Sequence, residues 1–337
     1  MSMQVIDLIP DLKPTILAAR QVQDARNTLA QYLPYRTTQS VSYRLGRRSR
    51  VDQTVPVRAL DAPAVPIRRP GVVDVRGDLP AITPIVDLSE QDLTQEMIIA
   101  QQLAGIEVDW TGPVNSAAAT GAATIDNTFE LMRGQLLSTG KISLAAADGS
   151  VHEVDFEVPS AQKIEVTDKW TLTDGDPFAD LEAAHEAFIQ GAGSPAAVMV
   201  TSRRTYRLML ARLQKMFPNQ PVGMGQLGGY LSDQNLPQVV TNDRTFRNPD
   251  GTKTRVFDEG TVTFLPEEPV GSTELGVTQE AVQQVQGRTL VAAEAPGLTV
   301  VTLGNDNPVQ RSVKVAAIGM PVLRDNDAIT ILHGVFA

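Results

Sequence analysis

The stretch from Tyr35 to Pro84 constrains this chain more than any other part of it. It carries six prolines, Pro56, Pro63, Pro66, Pro70, Pro80 and Pro84. Each one fixes φ and removes a backbone donor, so no helix runs through the segment. Fragments such as VSYRL and VPVRAL instead alternate like strands. A compact domain rarely contains so long a run without a core of its own. The pattern predicts an extended hairpin that lies on something else. Two legs of about 20 residues reach roughly 65 Å at the extended rise per residue.

The charge of this segment sharpens the expectation. Between Arg36 and Arg76 there are nine Arg and three Asp (Asp52, Asp61, Asp74), with no Lys or Glu. The segment is therefore near +6, and because the whole chain is −10 the remainder is near −16. A basic arm on an acidic body serves nucleic acid or a second copy of the same protein. The acidic body favours the second copy, since docking neutralises both sides. Arg44, Arg47, Arg48, Arg50, Arg58, Arg68 and Arg69 are the arm's candidate contacts.

Residues Asp11 to Tyr32 read as helix, with Pro14 in the first turn and Ile16, Leu17, Val22 and Leu29 as a loose apolar stripe. A second helix is expected over Asp87–Ala104, capped by Ser89. A third is expected over Gly121–Ser138, with Ile125, Phe129, Met132 and Leu136 on one side and Gly140 closing it. KISLAAADGSVHEVDFEV reads as a hairpin in which Val154, Phe156 and Val158 face one way and Glu153, Asp155 and Glu157 the other. Asp176-Pro177 starts a helix with Phe178, Leu181, Phe188 and Ile189 inward, and Gly191 to Gly193 end it. A short strand, Ala196 to Val200, leads to a helix capped by Thr201 or Ser202. Further strands are expected around Gln238–Val240, Thr261–Leu265 and Thr289–Ala293. The closing VKVAAIGMPVLRDNDAITILHGVFA gives two strands around Arg324–Asp327.

Motifs for chemistry are sparse. GMGQLGG, Gly223 to Gly229, has the spacing of a dinucleotide loop, but it lacks the strand before and the helix after that such a loop needs. It reads as a flexible loop. Arg76-Gly77-Asp78 is a coincidental tripeptide. His152, His185 and His333 are the only histidines and fall in three different elements, which argues against a triad or a His-based metal site. Asp174-Gly175-Asp176 resembles a calcium loop only until Pro177, and a turn with a helix cap is the better reading. There is no Cys, so thiolate chemistry is excluded. No cofactor, metal or enzymatic activity is expected. Glu153, Asp155 and Glu157 suit docking better than cation binding, given the basic arm. Arg203 and Arg204 sit in a first helical turn, where the macrodipole disfavours cations. Solvent exposure accounts for them equally well as a carboxylate from a neighbouring subunit.

No apolar run approaches the roughly 18 residues of a membrane span. The start, MSMQVIDLIPDLKPTILAAR, has no basic stretch followed by an apolar one, so no secretory signal is expected.

Four places together resemble the major capsid proteins of tailed phages, specifically the lambda-like capsid protein E family with the Hong Kong 97 fold. They are the Arg-rich hairpin, the helix around Thr124–Leu137 leading into KISLAAADGSVHEVDFEV, and the stretch of Trp170, Asp176-Pro177, Asp180-Leu181, Gly193-Ser194-Pro195 and AVMVTS. The fourth is the closing VKVAAIGMPVLRDNDAITILHGVF. Residues Met216 to Gln310 match only loosely.

The resemblance implies an α+β fold of the Hong Kong 97 type. It divides into an N-terminal arm (1–35), an extended E-loop (36–85), a peripheral domain with a long spine helix (86–174, with 311–337 returning to it) and an axial domain (175–310). It implies a non-enzymatic shell protein of the virion, made in the host bacterial cytoplasm. Hexameric and pentameric capsomers would enclose double-stranded DNA without gripping it. A portal, a separate scaffold protein with little N-terminal cleavage, and room for a decoration protein belong to the same expectation. An encapsulin-type nanocompartment, or a tail, sheath or baseplate protein, fits the same features. Some shells of this fold are locked by a Lys on the E-loop. Here no Lys lies between Lys13 and Lys141, so no such lock is expected.

Overall fold

The computed structural model describes residues 4–5, 12–47, 73–89, 91, 94, 111–145, 151–172, 175–219, 221–248, 250–282, 284–285, 288–289, 293–295, 297–306 and 309–336. Its described helices are α1 (Lys13–Asp24), α2 (Thr111–Thr139), α3 (Pro177–Ala192), α4 (Arg203–Met216), α5 (Met224–Asp233) and the short α6 (Gln279–Val282). The first strands are β1 (Gln4–Val5), β2 (Tyr35–Thr37), β3 (Ser42–Arg47), β4 (Val73–Asp78), β5 (Ala81–Ile82), β6 (Ile85–Leu88), β7 (Lys141–Ala145) and β8 (Val151–Asp155). Then come β9 (Lys163–Glu165), β10 (Val198–Thr201), β11 (Gln238–Thr241), β12 (Thr245–Arg247), β13 (Lys253–Arg255), β14 (Thr261–Leu265) and β15 (Gly271–Gly276). The last are β16 (Gln284–Val285), β17 (Arg288–Thr289), β18 (Ala293–Ala295), β19 (Leu298–Asp306), β20 (Val309–Leu323) and β21 (Thr330–His333).

Two sheets organise the body. The larger runs β1-β19-β20-β15-β2, with β18 on β19 and β5 and β6 on β20. The smaller runs β11-β10-β14-β21-β9. The three central strands of the smaller sheet, β10, β14 and β21, are buried on both sides and their residues alternate between two cores, as the pleat demands. Val200, Leu265 and Ile331 join a core with Phe129, Leu136, Phe156 and Met320. Met199, Phe264 and Leu332 join a second with Leu181, Phe188, Leu213 and Leu227. Helix α2 spans the first core, and α3, α4 and α5 build the second.

The local signals hold where they are chemical. The Asp176 carboxylate accepts from the amide of Phe178, Pro177 opens α3, and Gly193 ends it in the left-handed region. Ser202 caps α4 by accepting from Thr205. The α2 stripe, Ile125, Phe129, Met132 and Leu136, is buried, and Gly140 closes the helix at φ 74°.

Several expectations need correction. The first helix stops at Asp24, and a separate 3-10 turn covers Thr28–Gln31. Asp87 and Leu88 belong to β6, paired with β20, because the chain leaving Pro84 stays extended. Gln91 and Thr94 are helical, and the rest of the helix expected up to Ala104 lies outside the described residues. GMGQLGG is no loop, for residues 224–233 form α5, held by buried Leu227 and Leu231. Gln226 Oε1 also accepts from the Gly223 amide at 2.9 Å. Of the strand expected over Thr289–Ala293, the two ends lie in β17 and β18, and residues 290–292 lie outside the described residues. The two closing strands part company after Arg324, β20 in the large sheet and β21 in the small one.

Candidate functional site

The basic hairpin is rooted in the body on both legs. Strand β2 pairs parallel with β15, and the Thr38 amide donates to the Leu275 carbonyl at 2.7 Å. On the return leg, the Pro80 and Pro84 carbonyls accept from Gly319 and Val315, both at 3.0 Å. Leu79 donates to Val41 at 2.9 Å and closes the base of the hairpin. Beyond that base, β3 and β4 pair antiparallel, Ser42 with Asp78 through Arg47 with Val73. Tyr43 lies opposite Gly77, and a Cβ on Gly77 would sit 2.6 Å from the Tyr43 hydroxyl. The Gly of the Arg-Gly-Asp tripeptide is there to admit a buried ring. The backbone of Arg47 lies in β3 and Arg44 is exposed opposite Arg76. Arg48, Arg50, Arg58, Arg68 and Arg69 lie outside the described residues.

The acidic residues stand on β8 and just after it. Glu153 and Asp155 both meet Lys141 of β7, at 2.7 and 3.2 Å. The hydrogen bond from Lys141 to Glu153, followed by the one to Asp155, raises the ammonium's pKa. Partial burial pushes the Asp155 carboxyl up, but the Glu157 amide and Lys141 outweigh it and the net shift is downward. Strand β8 ends at Asp155 and Glu157 takes a positive φ of 52°, yet the expected alternation holds, with Glu153, Asp155 and Glu157 exposed. Phe156 and Val158 are buried, as expected. Between this hairpin, the arm's base and α2 lies a groove of about 780 Å³. Leu79, Ile82, Met132, Leu144 and Val154 give it apolar walls, and Asp78, His152 and Glu153 line it as well. The structure therefore brings the arm's base and the acidic hairpin to one groove of a single chain.

Arg203 and Arg204 lie elsewhere, at the start of α4. The Arg203 amide donates to Asp243 at 3.1 Å. Arg204 pairs with Glu259 of its own chain at 3.0 Å and stacks 4.2 Å from the centre of the Phe336 ring. Its carboxylate partner is thus internal. The histidines remain apart: His185 is buried, its Nε2 accepting from the Ala196 amide at 3.2 Å, while His152 lies on β8 and His333 on β21. Among the described residues, no group of three or more His, Asp or Glu is placed to hold a metal ion.

A buried ionic cluster escaped the sequence reading. Tyr35 donates to Asp126 Oδ1 at 3.0 Å, and Arg20 reaches the same oxygen at 3.4 Å. Arg133 pairs with Glu130 at 3.3 Å and donates through Nε to Thr273 at 3.0 Å. Glu130 in turn accepts from the Leu29 amide at 3.1 Å. Asp126, Glu130 and Arg133 are all 0% exposed. Burial raises the pKa values of Asp126 and Glu130 against the pull of Arg20 and Arg133, respectively, and pushes Tyr35 up to about 12. The cluster ties α1, the arm's root and the large sheet to α2. A signal for it was present: α2 has 29 residues and only three charges, all at i, i+4 and i+7.

The family model described as phage major capsid protein E matches residues 29–332. The chain belongs to the phage major capsid protein E family. Its fold is the Hong Kong 97-like fold of phage capsid proteins, mixed helix and sheet. A crystal structure of a phage-related protein from Bordetella bronchiseptica is similar, with TM-score 0.61 and 12% identity over 99% of both chains. A prophage protein from E. coli CFT073 gives TM-score 0.58 and 13% identity over 100% of both. A virus-like particle from Pyrococcus furiosus gives 0.51 and 12% over 95% of this chain and 98% of its own. No curated protein sequence matches the chain. The family favours a phage shell over a nanocompartment or a sheath. Among the described residues no helix is long and apolar enough to cross a membrane.

Proposed function

We propose that copies of this phage major capsid protein E family member associate as hexamers and pentamers into an icosahedral head, each laying its arm on the next. The observation that carries the proposal is the arm's construction. Both legs are hydrogen-bonded into the large sheet, yet the arginine-rich strands run on beyond that anchorage. The groove beside the acidic hairpin is the candidate seat for a neighbour's arm. Lys141 and Lys163 both act on Asp155, and with these two lysines counted the four carboxylates of the hairpin, Asp148, Glu153, Asp155 and Glu157, leave it near −2. Exposed ion pairs contribute only about 0–1 kcal/mol each. Most of the strength must therefore come from Val and Pro of the arm covering the apolar groove, at about 25 cal/mol per Å². Residues 1–35 then serve as N-terminal arm, 36–85 as E-loop, 86–174 with 311–337 as peripheral domain and 175–310 as axial domain.

In this reading the protein is non-enzymatic, is made in the host bacterial cytoplasm, and works with a portal, a separate scaffold and in some shells a decoration protein. The −10 chain repels the phosphates of the double-stranded DNA it encloses. The test removes the arm at its hydrogen-bonded base, replacing residues 42–78 by two glycines between Val41 and Leu79. The shortened chain should stay folded and soluble and form no closed particle in electron micrographs, where the parent forms icosahedra. Normal particles from the deletion would sink the proposal, and tubes from the parent would point to a sheath.

A further inference from the structure

Helices α3 and α4 divide charge completely. From Pro177 to Ala192, α3 carries Asp180, Glu182 and Glu186 and no cation; from Arg203 to Met216, α4 carries Arg203, Arg204, Arg207, Arg212 and Lys215 and no anion. Part of this charge is used inside the chain: Asp180 accepts from the Trp170 indole at 2.7 Å, Arg212 meets Asp176 at 3.3 Å, and Arg204 meets Glu259. The remainder faces outward. Ala179, Glu182, Ala183, Glu186 and Gln190 are exposed at i, i+3, i+4, i+7 and i+11, one face of α3. Arg207, Ala211, Gln214 and Lys215 form the corresponding exposed face of α4. Among the described residues, Glu182, Arg207 and Lys215 have no ion-pair partner, while Glu186 accepts from the Gln190 amide at 3.3 Å and acts electrostatically on His185. Helix α3 packs over β14 and β21 and α4 over β11, so the two faces belong to opposite halves of the small sheet.

The two helices touch and Arg212 of α4 pairs with Asp176 at the start of α3, yet among the described residues Glu182 and Glu186 pair with no cation of α4. The two faces match between copies related head to tail, and such a contact repeats around a closed ring. We propose that the acidic face of α3 on one copy docks against the basic face of α4 on the next, setting the order of copies around a capsomer. The contact rests on the capsomer reading above but uses neither the arm nor the groove. The alanines at 179, 183 and 211 keep both faces low, so the helices approach closely while the long Arg and Lys side chains reach across. Charged contacts of this kind act on orientation and partner choice more than on strength.

Charge reversal tests it. Chains carrying Glu182→Lys with Glu186→Lys, or Arg207→Glu with Lys215→Glu, place like charges face to face. Each should lower the yield of closed particles by about tenfold or more in 0.15 M salt, read by sedimentation and electron microscopy. The chain with all four changes restores opposite signs, and its yield should return to within about threefold of the parent. That rescue cannot come from a merely damaged fold, and thermal unfolding of dissociated subunits checks the single-helix variants. Parental yield from both single-helix reversals overturns the docking and leaves the capsid reading intact. So does failure of the fourfold chain to recover. A parent chain that stays monomeric at every concentration overturns both.

Discussion

The guanidinium of Arg133 lies 4.4 Å from the centre of the Tyr35 ring, and the hydroxyl of that ring donates to Asp126, two turns of helix earlier and beyond Glu130. Tyr35 begins β2, the strand from which the arm departs, so the arm's root is fixed to α2 through a buried charged side chain. Breaking a buried pair by removing one partner costs about 3–5 kcal/mol, because the other charge is stranded. Arg133→Ala should destabilise the unassembled subunit by about that much, measured by urea unfolding. Replacing Arg133 by Met and Glu130 by Leu together should cost less than Arg133→Ala alone.

Asp126 and Glu130 set a pH dependence. Burial, the leading cause, raises both above their ordinary 3.8 and 4.5. The folded state therefore holds these protons more tightly than the unfolded chain does. Their contribution to stability is fully present below the ordinary values and is lost as pH rises through the raised ones. Asp126→Asn and Glu130→Gln should each gain stability relative to the parent between about pH 4 and pH 7. Melting temperatures of dissociated subunits across that range give the slope. A constant difference between parent and variant would show that the carboxyls titrate normally.

Glu280 and Asp155 work in the opposite direction. Partial burial pushes each carboxyl up, but hydrogen bonding outweighs it, from Lys314 at 2.6 Å for Glu280 and from the Glu157 amide and Lys141 for Asp155. Their contributions are present above the ordinary carboxyl range and vanish as pH falls through the lowered values. Glu280→Gln should therefore destabilise the subunit at pH 7 and converge with the parent near pH 3, in the same melting series.

Tyr43 and Gly77 define the arm's first rung. A Cβ at position 77 would lie 2.6–2.7 Å from three atoms of the Tyr43 ring, so the ring must leave its buried position. Gly77→Ala should cost about 1–3 kcal/mol by overpacking. With the ring gone the methyl has room. Tyr43→Ala should consequently cost less in the Gly77→Ala background than in the parent, a coupling read from a double-mutant cycle. Additive costs would mean that the ring does not rest on the glycine.

How much of this was legible follows from the range of each signal. Asp176, Pro177, Gly193 and Ser202 act within one turn, and the structure uses all four as the sequence suggested. The stripe Ile125–Leu136 is a periodic pattern and survived too. The charges of α2 were not interpreted, because burial of Asp126, Glu130 and Arg133 depends on partners about 100 or more positions away, Arg20, Leu29 and Thr273. Helix α5 was hidden by glycines whose low propensity is overridden by burial of Leu227 and Leu231. That β20 and β21 enter different sheets is a choice among strand partners, and nothing within the turn Arg324–Asp327 encodes it. Of the proposed arm contact, the sequence showed both charge sets, while the groove between them emerged only when α2 and the hairpin β7–β8 were packed together.

The last prediction concerns covalent locking of the shell. An isopeptide bond needs a neutral amine, and only lysine supplies one, since guanidinium groups stay protonated. From Arg36 to Pro84 the arm has no Lys. The amine nearest the acidic hairpin, Lys141, sits 2.7 Å from Glu153 and 3.2 Å from Asp155, and these contacts raise its pKa and hold it as an ammonium. Lys169 donates to the Val166 carbonyl at 2.7 Å and pairs with Glu165 at 3.4 Å. Particles boiled in SDS should therefore run as a single band near the monomer mass, with or without a decoration protein. A ladder of dimers to hexamers would overturn this. Peptide mapping of such a ladder, with Lys141, Lys163 and Lys169 each replaced by Arg in turn, would then identify the donor.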